Sequence, residues 1–386
     1  MSLDAFRWDY LDRGLTPHLS DLARRGVRAG KLRPVFPSKT FPNHYSIVTG
    51  LSAGRHGLVA NNIYDPALDR RFSLSDREAV GDGRWYGGEP IWVTAERHGL
   101  ATAALFWPGT EAEIGGIRPT EWTPYDGAMP GEERVDRVLG WLARPAARRP
   151  SFVTLYFSGA DDAGHDTGPA PSPRLDAAIR EVDRLLGRLL EGIAGLRDPA
   201  VSVVVVSDHG LAATSPERVV FLDDYVDLDL ARPVDWNPVA ALWPEERHRE
   251  AVYRALAGAH PALSVWRRDE IPSRFDYRHP RVPPILALAD EGWSITSHGY
   301  FDRHPDRFAG GNHGYDNRLD SMAGIFVAAG PSIRRGVELD QVDNRAIYPL
   351  LCQLLDIPPV AGQGIPGLAD RVLEPAAAGR RERRTS

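Results

Sequence analysis

Two kinds of apolar pattern alternate along the chain: short continuous runs rich in β-branched residues, and longer runs whose apolar positions recur every three or four residues. The first kind is typical of strands buried on both faces of a sheet, and the second of amphipathic helices. Their alternation predicts an α/β fold with a largely parallel central sheet flanked by helices. The clearest strands are predicted at Phe152–Phe157, Val201–Val206 and Gly324–Ala328.

The most regular helical pattern covers Arg174–Ile193, where the apolar residues form one stripe. Further helices are predicted at Pro17–Arg25, Pro90–His98, Glu133–Ala143, Glu245–Ala259 and Asn344–Leu355. The stretch from about Asp235 to Trp293 interrupts the alternation and is expected to form a small subdomain inserted beside the sheet. Residues 1–372 are therefore predicted to form a single domain, followed by a basic, disordered tail over residues 373–386.

Composition excludes several classes of protein. Hydrophobic residues make up 42% of the 386 residues, and 10 Trp, 12 Tyr and 12 Phe supply enough apolar volume for a large core, which excludes a disordered chain. No apolar run approaches the ~20 residues of a membrane helix, so no membrane span is expected. The single cysteine, Cys352, excludes an internal disulfide and cysteine-ligated zinc, and its helical surroundings predict a buried thiol. The net charge is -6 and no basic residues cluster in a stripe, so binding to a nucleic-acid duplex is not expected.

The beginning of the chain lacks the basic and apolar regions of an export signal. Only three residues precede Asp4, whereas a strand that positions such a residue usually has about 5–6. We therefore expect the first strand to be truncated and Asp4 to fray with the terminus.

Polar residues follow the predicted strands, where open α/β sheets hold their active sites. Asp161 and His165 are four residues apart, so one helical turn would place both on one face; the nearby glycines and proline favour a tight loop instead. Asp208 and His209 follow the valine-rich strand, and Gly210 permits the sharp turn that would let both side chains serve one site.

Two more candidates complete a set of six. Asp4 ends the short apolar start of the chain, and His313 lies in a glycine-rich segment. Each of the six residues, taken alone, could equally be a helix cap, a turn residue or a surface side chain. Together their nitrogen and oxygen donors suit zinc, and they suit a two-metal site for phosphoryl or sulfuryl transfer.

Thr40 is the candidate nucleophile because it opens a helix-like run. A hydroxyl at a helix N-terminus lies in a positive field, where a phosphoryl group would also bind. The alternative interpretation of Thr40 is an ordinary N-cap. Gly50-Leu51-Ser52-Ala53-Gly54 matches the G-x-S-x-G motif of α/β-hydrolases, but no helical pattern follows it, so we interpret this segment as a surface turn.

Taken in order, these segments resemble the nucleotide pyrophosphatase/phosphodiesterase family of the alkaline phosphatase superfamily over nearly the whole chain. Thr40-Phe41-Pro42-Asn43-His44 resembles the nucleophile motif of the family, and Asn61 matches its phosphate-binding asparagine. The ligand motifs of the family match Asp161-x-x-x-His165-x-x-Gly168-Pro169, Asp208-His209-Gly210 and His313-Gly314-Tyr315. Ala5 departs from the family, in which glycine usually follows the first ligand.

The resemblance implies an alkaline-phosphatase-like fold and two Zn²⁺ ions per subunit. One ion would be held by Asp161, His165 and His313, and the other by Asp4, Asp208, His209 and the Thr40 oxygen. Thr40 would form a covalent diester with the substrate, and Asn61 would complement the phosphoryl oxygens. Phe41 and Tyr156, together with Tyr125, would clasp a nucleotide base; core packing is the alternative interpretation of these aromatic residues.

The function expected from the resemblance is hydrolysis of phosphodiester or pyrophosphate bonds in small nucleotides, releasing a nucleoside monophosphate. A phospholipid or choline-phosphodiester hydrolase of the same superfamily is one alternative. A non-catalytic metal-binding relative, disabled by its short N-terminus, is the other. Relatives of this type are usually exported, so a periplasmic or secreted native form is expected, and the sequence leaves the oligomeric state open.

Overall fold

A sheet of eight strands forms the centre of the computed structural model, which describes residues 1–196 and 200–375. Its spatial order is Val337–Asp343, Val27–Arg33, Gly324–Ala329, Val203–Val206, Ser2–Leu3, Phe152–Phe157, Thr102–Leu105 and Glu121–Thr123. Gly324–Ala329 runs antiparallel to both of its neighbours, and the other neighbouring strands are parallel. The predicted α/β fold with a largely parallel central sheet is confirmed.

Helices cover both faces of this sheet because side chains alternate between its faces along each strand. Val206 packs with the helices Thr40–Thr49 and Ile347–Leu354, whereas its neighbour Val205 packs with Pro17–Arg25 and Pro173–Ala194. The α-helices are Pro17–Arg25, Thr40–Thr49, Ala53–His56, Arg77–Val80, Ile91–Arg97, Gly131–Leu142, Gly159–Thr167, Pro173–Ala194, Leu228–Ala231, Glu246–Leu256, His298–Phe301, Ile347–Leu354 and Leu368–Val372. Each amphipathic pattern that predicted a helix coincides with one of these, with ends that differ by at most three residues.

The shortest strand of the sheet, Ser2–Leu3, lies at its centre. It pairs with Val203–Val206 on one side and Phe152–Phe157 on the other. The N–H of Asp4 continues the pairing with a bond of 2.9 Å to the carbonyl oxygen of Phe157, and Asp4 is 1% exposed. The expectation that Asp4 frays is therefore wrong for this structure, because the strand before it is paired on both sides and the backbone of Asp4 is itself bonded to Phe157.

The segment that interrupts the alternation contains a second sheet. Four antiparallel strands lie in the spatial order Pro233–Asp235, Val239–Leu242, Ile285–Ala289 and Leu263–Arg267. The helix Glu246–Leu256 packs on this sheet through Val252 and Leu256. The described residues also form three two-stranded sheets: Asn62–Asp65 with Arg70–Ser73, Ala212–Thr214 with Gly310–Asn312, and Val219–Phe221 with Ser294–Thr296.

The last described residues pair with the segment that follows the strand Gly324–Ala329. Leu373 forms a β-bridge with Ile333, and the N–H of Glu374 donates to the carbonyl oxygen of Ser332 at 3.0 Å. Residues 376–386, which hold the arginines of the predicted tail, lie outside the described residues. Among the helices of the described ranges, none combines the length and the apolar character that a membrane span requires.

Candidate active site

Six carboxylate and imidazole side chains come together in two groups. Five of them follow the carboxyl ends of central strands, and His313 follows the strand Gly310–Asn312 of a two-stranded sheet. Asp161, His165 and His313 form the first group, and Asp4, Asp208 and His209 form the second. Within each group, one ligand atom from each residue lies within 4.8 Å of the others. The structure therefore joins all six residues that the sequence singled out as metal ligands, in the two sets implied by the resemblance.

The first group depends on the helix Gly159–Thr167, which follows the strand Phe152–Phe157. The four-residue spacing places Nε2 of His165 at 3.3 Å from Oδ1 of Asp161, and Nε2 of His313 lies at 3.7 Å from the same oxygen. The tight loop predicted here is wrong. Gly164, inside the helix, serves packing, because a Cβ there would lie only 2.5 Å from a methyl carbon of Leu211; Gly168, with a φ of +75°, ends the helix.

The second group is buried at the centre of the sheet. Nε2 of His209 lies at 3.0 Å from Oδ2 of Asp208 and at 3.6 Å from Oδ1 of Asp4. The strand has ended at Val206, so Asp208 and His209 can both turn toward one site. Gly210 is required because a Cβ there would lie 2.2 Å from the carbonyl oxygen of Ser321.

The three imidazoles are oriented by backbone carbonyl oxygens. Nδ1 donates to Gly311 in His165 (2.9 Å), to Gly210 in His209 (3.0 Å) and to Ser38 in His313 (3.0 Å). A hydrogen bond at Nδ1 leaves the lone pair of a neutral ring on Nε2, the atom that faces the carboxylates. The rings of His209 and His313 stack at 3.7 Å and connect the two groups.

The carboxylates carry the electrostatic signature of a cation site. Oδ1 of Asp4, Oδ1 of Asp161 and Oδ2 of Asp208 are buried and have no hydrogen-bond partner within residues 1–196 and 200–375. Burying such oxygens costs free energy unless a positive charge compensates them. These are also the oxygens closest to the imidazoles, so the donor sets fit two zinc ions.

The pKa values of the same groups reflect this crowding. Burial and the nearby carboxylates of Asp208 and Asp161 raise the pKa of Asp4 well above its usual range. Burial lowers the pKa of His165, but the adjacent Asp161 carboxylate, the carbonyl oxygen of Gly311 and the Asp162 carboxylate together raise that pKa to about 9. The raised pKa of Asp4 thus reflects mainly its burial, and the raised pKa of His165 reflects its contact with the Asp161 carboxylate.

Thr40 lies beside the second group. It is the first residue of the helix Thr40–Thr49, and its Oγ1 is 3.3 Å from Nε2 of His209. Lys39 rather than Thr40 occupies the N-cap position, so the alternative of an ordinary cap is wrong. The hydroxyl is therefore placed at a helix N-terminus and against the candidate metal ligands.

Asn61 completes the surroundings of Thr40. Its Oδ1 accepts a hydrogen bond of 3.1 Å from the N–H of Phe41, which leaves the NH2 group of Asn61 as a donor. Pro42 has no N–H. The N–H of Thr40 has no backbone partner in the described ranges, so it and the Asn61 amide are the donors available at this helix end.

The three aromatic candidates occupy different positions. The hydroxyl of Tyr156 donates to Oδ2 of Asp4 at 2.5 Å, a role that the sequence did not indicate. Tyr125 is 42% exposed, and its ring centroid lies 6.0 Å from that of Tyr156. Phe41 is half-buried and contacts Phe72 at 5.5 Å. Tyr156 therefore supports a candidate metal ligand, and Tyr125 offers its ring to solvent at the mouth of the site.

The sequence did not predict the contacts of the His44 side chain. Its Nδ1 lies 3.0 Å from the carbonyl oxygen of Thr40 and 3.2 Å from Oδ2 of Asp208, and its Nε2 lies 2.8 Å from Oγ of Ser2. The helical spacing of four residues from Thr40 was the available indication. His44 links the helix of the candidate nucleophile to the second ligand group.

The G-x-S-x-G segment is not a surface turn, because Ser52 is 1% exposed and the helix Ala53–His56 follows it. Its Oγ donates to Oδ2 of Asp276 at 2.6 Å. A helix rather than a strand precedes it, so it is not a nucleophile elbow. Cys352 is buried, as predicted.

A buried ion pair attaches the four-stranded sheet to the helix of Thr40. Nζ of Lys39 lies 2.5 Å from Oδ2 of Asp235, and Asn62 donates to Oδ1 of Asp235 at 3.0 Å. Lys39 is 4% exposed and Asp235 is 6% exposed. Lys39 directly precedes Thr40, and Asn62 directly follows Asn61. Both are thus held by the Asp235 carboxylate of the second sheet.

Replacing Asp235 with alanine is expected to lower the free energy of unfolding by about 3–5 kcal/mol, because the buried Lys39 charge loses its partner. Denaturant unfolding of the purified variant measures this change. Glu245→Ala, which removes an exposed carboxylate of the same region, is the matched control and should cost at most about 1 kcal/mol. The double variant Lys39→Met, Asp235→Ala should recover part of the loss, and equal effects of Asp235→Ala and Glu245→Ala would contradict this account.

Comparison with known proteins agrees with this geometry. Residues 1–316 match the family model described as type I phosphodiesterase / nucleotide pyrophosphatase. The human ectonucleotide pyrophosphatase/phosphodiesterase family member 5 is 39% identical over 92% of this chain and 74% of its own length. The human family member 1 is 35% identical over 97% of this chain, which spans 41% of that longer protein.

A solved structure supports the same assignment. The murine ectonucleotide pyrophosphatase/phosphodiesterase 5, as an inactive threonine-to-alanine variant in complex with AMP, superimposes with a TM-score of 0.89 and 39% identity. The match covers 96% of this chain and 98% of the murine chain. The chain therefore belongs to the type I phosphodiesterase / nucleotide pyrophosphatase family, whose members hydrolyse phosphodiester and pyrophosphate bonds.

Proposed function

We propose that this protein is a two-zinc nucleotide phosphodiesterase and pyrophosphatase that works through a covalent threonine intermediate. The observation that carries the proposal is the position of Oγ1 of Thr40, at a helix N-terminus and 3.3 Å from Nε2 of His209. A hydroxyl in that position is next to the second candidate ligand group and in a field that attracts phosphate.

The residues that would hold the two metal ions are those of the two ligand groups. Asp161, His165 and His313 would hold one zinc; Asp4, Asp208 and His209, with the Thr40 oxygen, would hold the other. When bound, the two ions lower the pKa of a coordinated hydroxyl and stabilise the charge that develops on the attacking and departing oxygens. Tyr156 and the backbone carbonyls behind the imidazoles hold these ligands in orientation.

The chain itself supplies the nucleophile and the positioning groups. Thr40 loses its proton to water, and Oγ1 attacks phosphorus in line as the bond to the leaving alcohol or pyrophosphate oxygen breaks. A water molecule then attacks the phosphothreonine diester from the opposite side, the P–Oγ1 bond breaks, and Thr40 regains a proton. The N–H of Thr40 and the amide of Asn61 donate to the phosphoryl oxygens in both steps.

The proposed substrate is a nucleotide diester or pyrophosphate. Asn61 is neutral and no arginine lies in the Thr40 motif, so the site suits a singly charged diester better than a doubly charged monoester. Phe41 and Tyr125 provide aromatic faces for a base. The AMP complex of the murine relative supports a nucleotide as the bound ligand. The names of the relatives also favour an extracytoplasmic native location.

Three nitrophenyl esters test the proposal. Nitrophenyl thymidine phosphate should be hydrolysed with a kcat/KM more than about tenfold above that of nitrophenyl phosphate, because the site lacks a group to bind the second charge of the monoester. It should exceed nitrophenylphosphocholine by a similar factor because only the nucleotide carries a base that can stack. Preference for the choline ester would support the phospholipid-type alternative. Faster hydrolysis of the monoester, or no hydrolysis of any ester by the zinc-loaded protein, would contradict the proposal.

A further inference from the structure

The guanidinium of Arg134 is buried at the mouth of the site. Arg134 lies in the helix Gly131–Leu142 and is 5% exposed. It donates through Nε to the carbonyl oxygen of Met129 at 3.0 Å and through Nη2 to those of Gly127 and Asp126 at 3.2 and 3.4 Å. Three carbonyl groups of one loop are therefore held by one side chain.

That loop, residues 124–130, carries Tyr125, and every residue of it except the half-buried Met129 is exposed. Near the tyrosine, the N–H of Tyr125 also donates to the Glu111 carboxylate at 3.1 Å. Nη1 of Arg134 reaches the other way and donates to the carbonyl oxygen of Tyr156 at 3.0 Å. Arg134 thus connects the loop of Tyr125 to the strand of Tyr156, whose hydroxyl contacts Asp4.

Phe106 lies between Arg134 and the ring of Tyr125. The guanidinium carbon lies 5.0 Å from the centroid of Phe106, and Tyr125 meets the same ring edge-on at 5.2 Å. Within the described ranges Arg134 forms no ion pair. Its guanidinium donates hydrogen bonds to carbonyl oxygens and makes cation–π contacts with Phe106 and Phe157. A guanidinium with several donors in a fixed plane is suited to this task, and an ammonium group is not.

We propose that Arg134 is a positioning residue that fixes Tyr125 at the mouth of the site and thereby selects substrates that carry an aromatic base. This inference rests on the proposed function. Since Arg134 touches carbonyl groups and aromatic rings rather than a candidate metal ligand or Thr40, its loss should affect recognition of the base and leave the chemical step intact.

Two diesters with the same leaving group test the inference: nitrophenyl thymidine phosphate, which has a base, and methyl nitrophenyl phosphate, which has none. In Arg134→Met and Arg134→Lys, kcat/KM for the nucleotide should fall at least about tenfold, mainly through KM, because a stacked base is lost. The value for the methyl ester should stay within about twofold, which also reports a folded active site. Arg137→Met, on the same helix but bonded to Thr123 and Glu133, is the matched control and should leave both substrates unchanged.

A double-variant cycle separates positioning from general damage. Tyr125→Ala should cause the same selective loss, and adding Arg134→Lys to it should cause little further loss, since both act through one ring. Equal loss on both esters, rescue of nucleotide turnover by Arg134→Lys, or additive losses in the cycle would each overturn the inference. If the unaltered zinc-loaded enzyme hydrolysed neither ester, the proposed function itself would fail.

Discussion

Thr40→Ala is expected to lower kcat on nitrophenyl thymidine phosphate by at least about 10³-fold, because removing a nucleophile eliminates the covalent route. Thr40→Ser should retain part of the rate, since it keeps the hydroxyl and loses only the methyl group. The reason lies in the geometry: Oγ1 of Thr40 is 3.3 Å from Nε2 of His209, and Lys39 rather than Thr40 occupies the N-cap position, so the hydroxyl has no capping role to lose. Steady-state rates at saturating zinc measure the effect.

The control for this prediction lies on the same helix. Thr49 donates its hydroxyl to the carbonyl oxygen of Tyr45 at 2.7 Å, away from both ligand groups. Thr49→Ala should lower stability slightly and keep kcat close to that of the unaltered enzyme. If Thr40→Ala kept a near-normal rate, a water molecule would be the direct nucleophile and the covalent route would be wrong.

Removal of metal is expected to have a comparably large effect. Dialysis against a chelator should abolish hydrolysis and readdition of zinc should restore it. The reason is that the buried oxygens of Asp4, Asp161 and Asp208, which accept no hydrogen bond within residues 1–196 and 200–375, require a cation to be held together. His313→Ala should lower activity by about 10²-fold or more, as it removes one of three ligands from the first group.

Metal analysis gives this prediction a second readout. The unaltered protein should contain two zinc ions per chain, and His313→Ala should contain close to one. His298→Ala is a suitable control because that imidazole is exposed and pairs with Asp224, away from both groups. Full activity after exhaustive chelation would refute the metal assignment, and so would inactivation by a serine-directed fluorophosphonate through Ser52, whose hydroxyl is buried against Asp276.

The sequence predicted those features that depend on local periodicity. The helix Pro17–Arg25 was predicted at its observed bounds because a proline marks its first turn and its apolar positions recur regularly. The strand Phe152–Phe157 was equally clear as a continuous apolar run. The direction of Gly324–Ala329 could not be predicted, since an apolar run buried on both faces looks alike in parallel and antiparallel sheets.

The residues of the candidate site were predicted better than their supporting contacts. Six ligand candidates and Thr40 stood out because Asp, His and Thr at strand ends and helix starts suggest chemistry. The glycines near Asp161 predict a loop because glycine normally breaks helices, whereas Gly164 is needed for its close contact with Leu211. The Tyr156 bond to Asp4 and the Arg134 bonds to the loop of Tyr125 join positions far apart in sequence, and no local pattern encodes them.

The central claim, a covalent intermediate on Thr40, is tested most directly by the stereochemical course at phosphorus. A single diastereomer of the nitrophenyl ester of thymidine 5'-phosphorothioate would be hydrolysed in ¹⁸O-labelled water, and the configuration of the labelled product determined by ³¹P NMR. Attack by Thr40 followed by attack of water inverts phosphorus twice, so the account predicts net retention. Net inversion would show a single displacement by water and would contradict it.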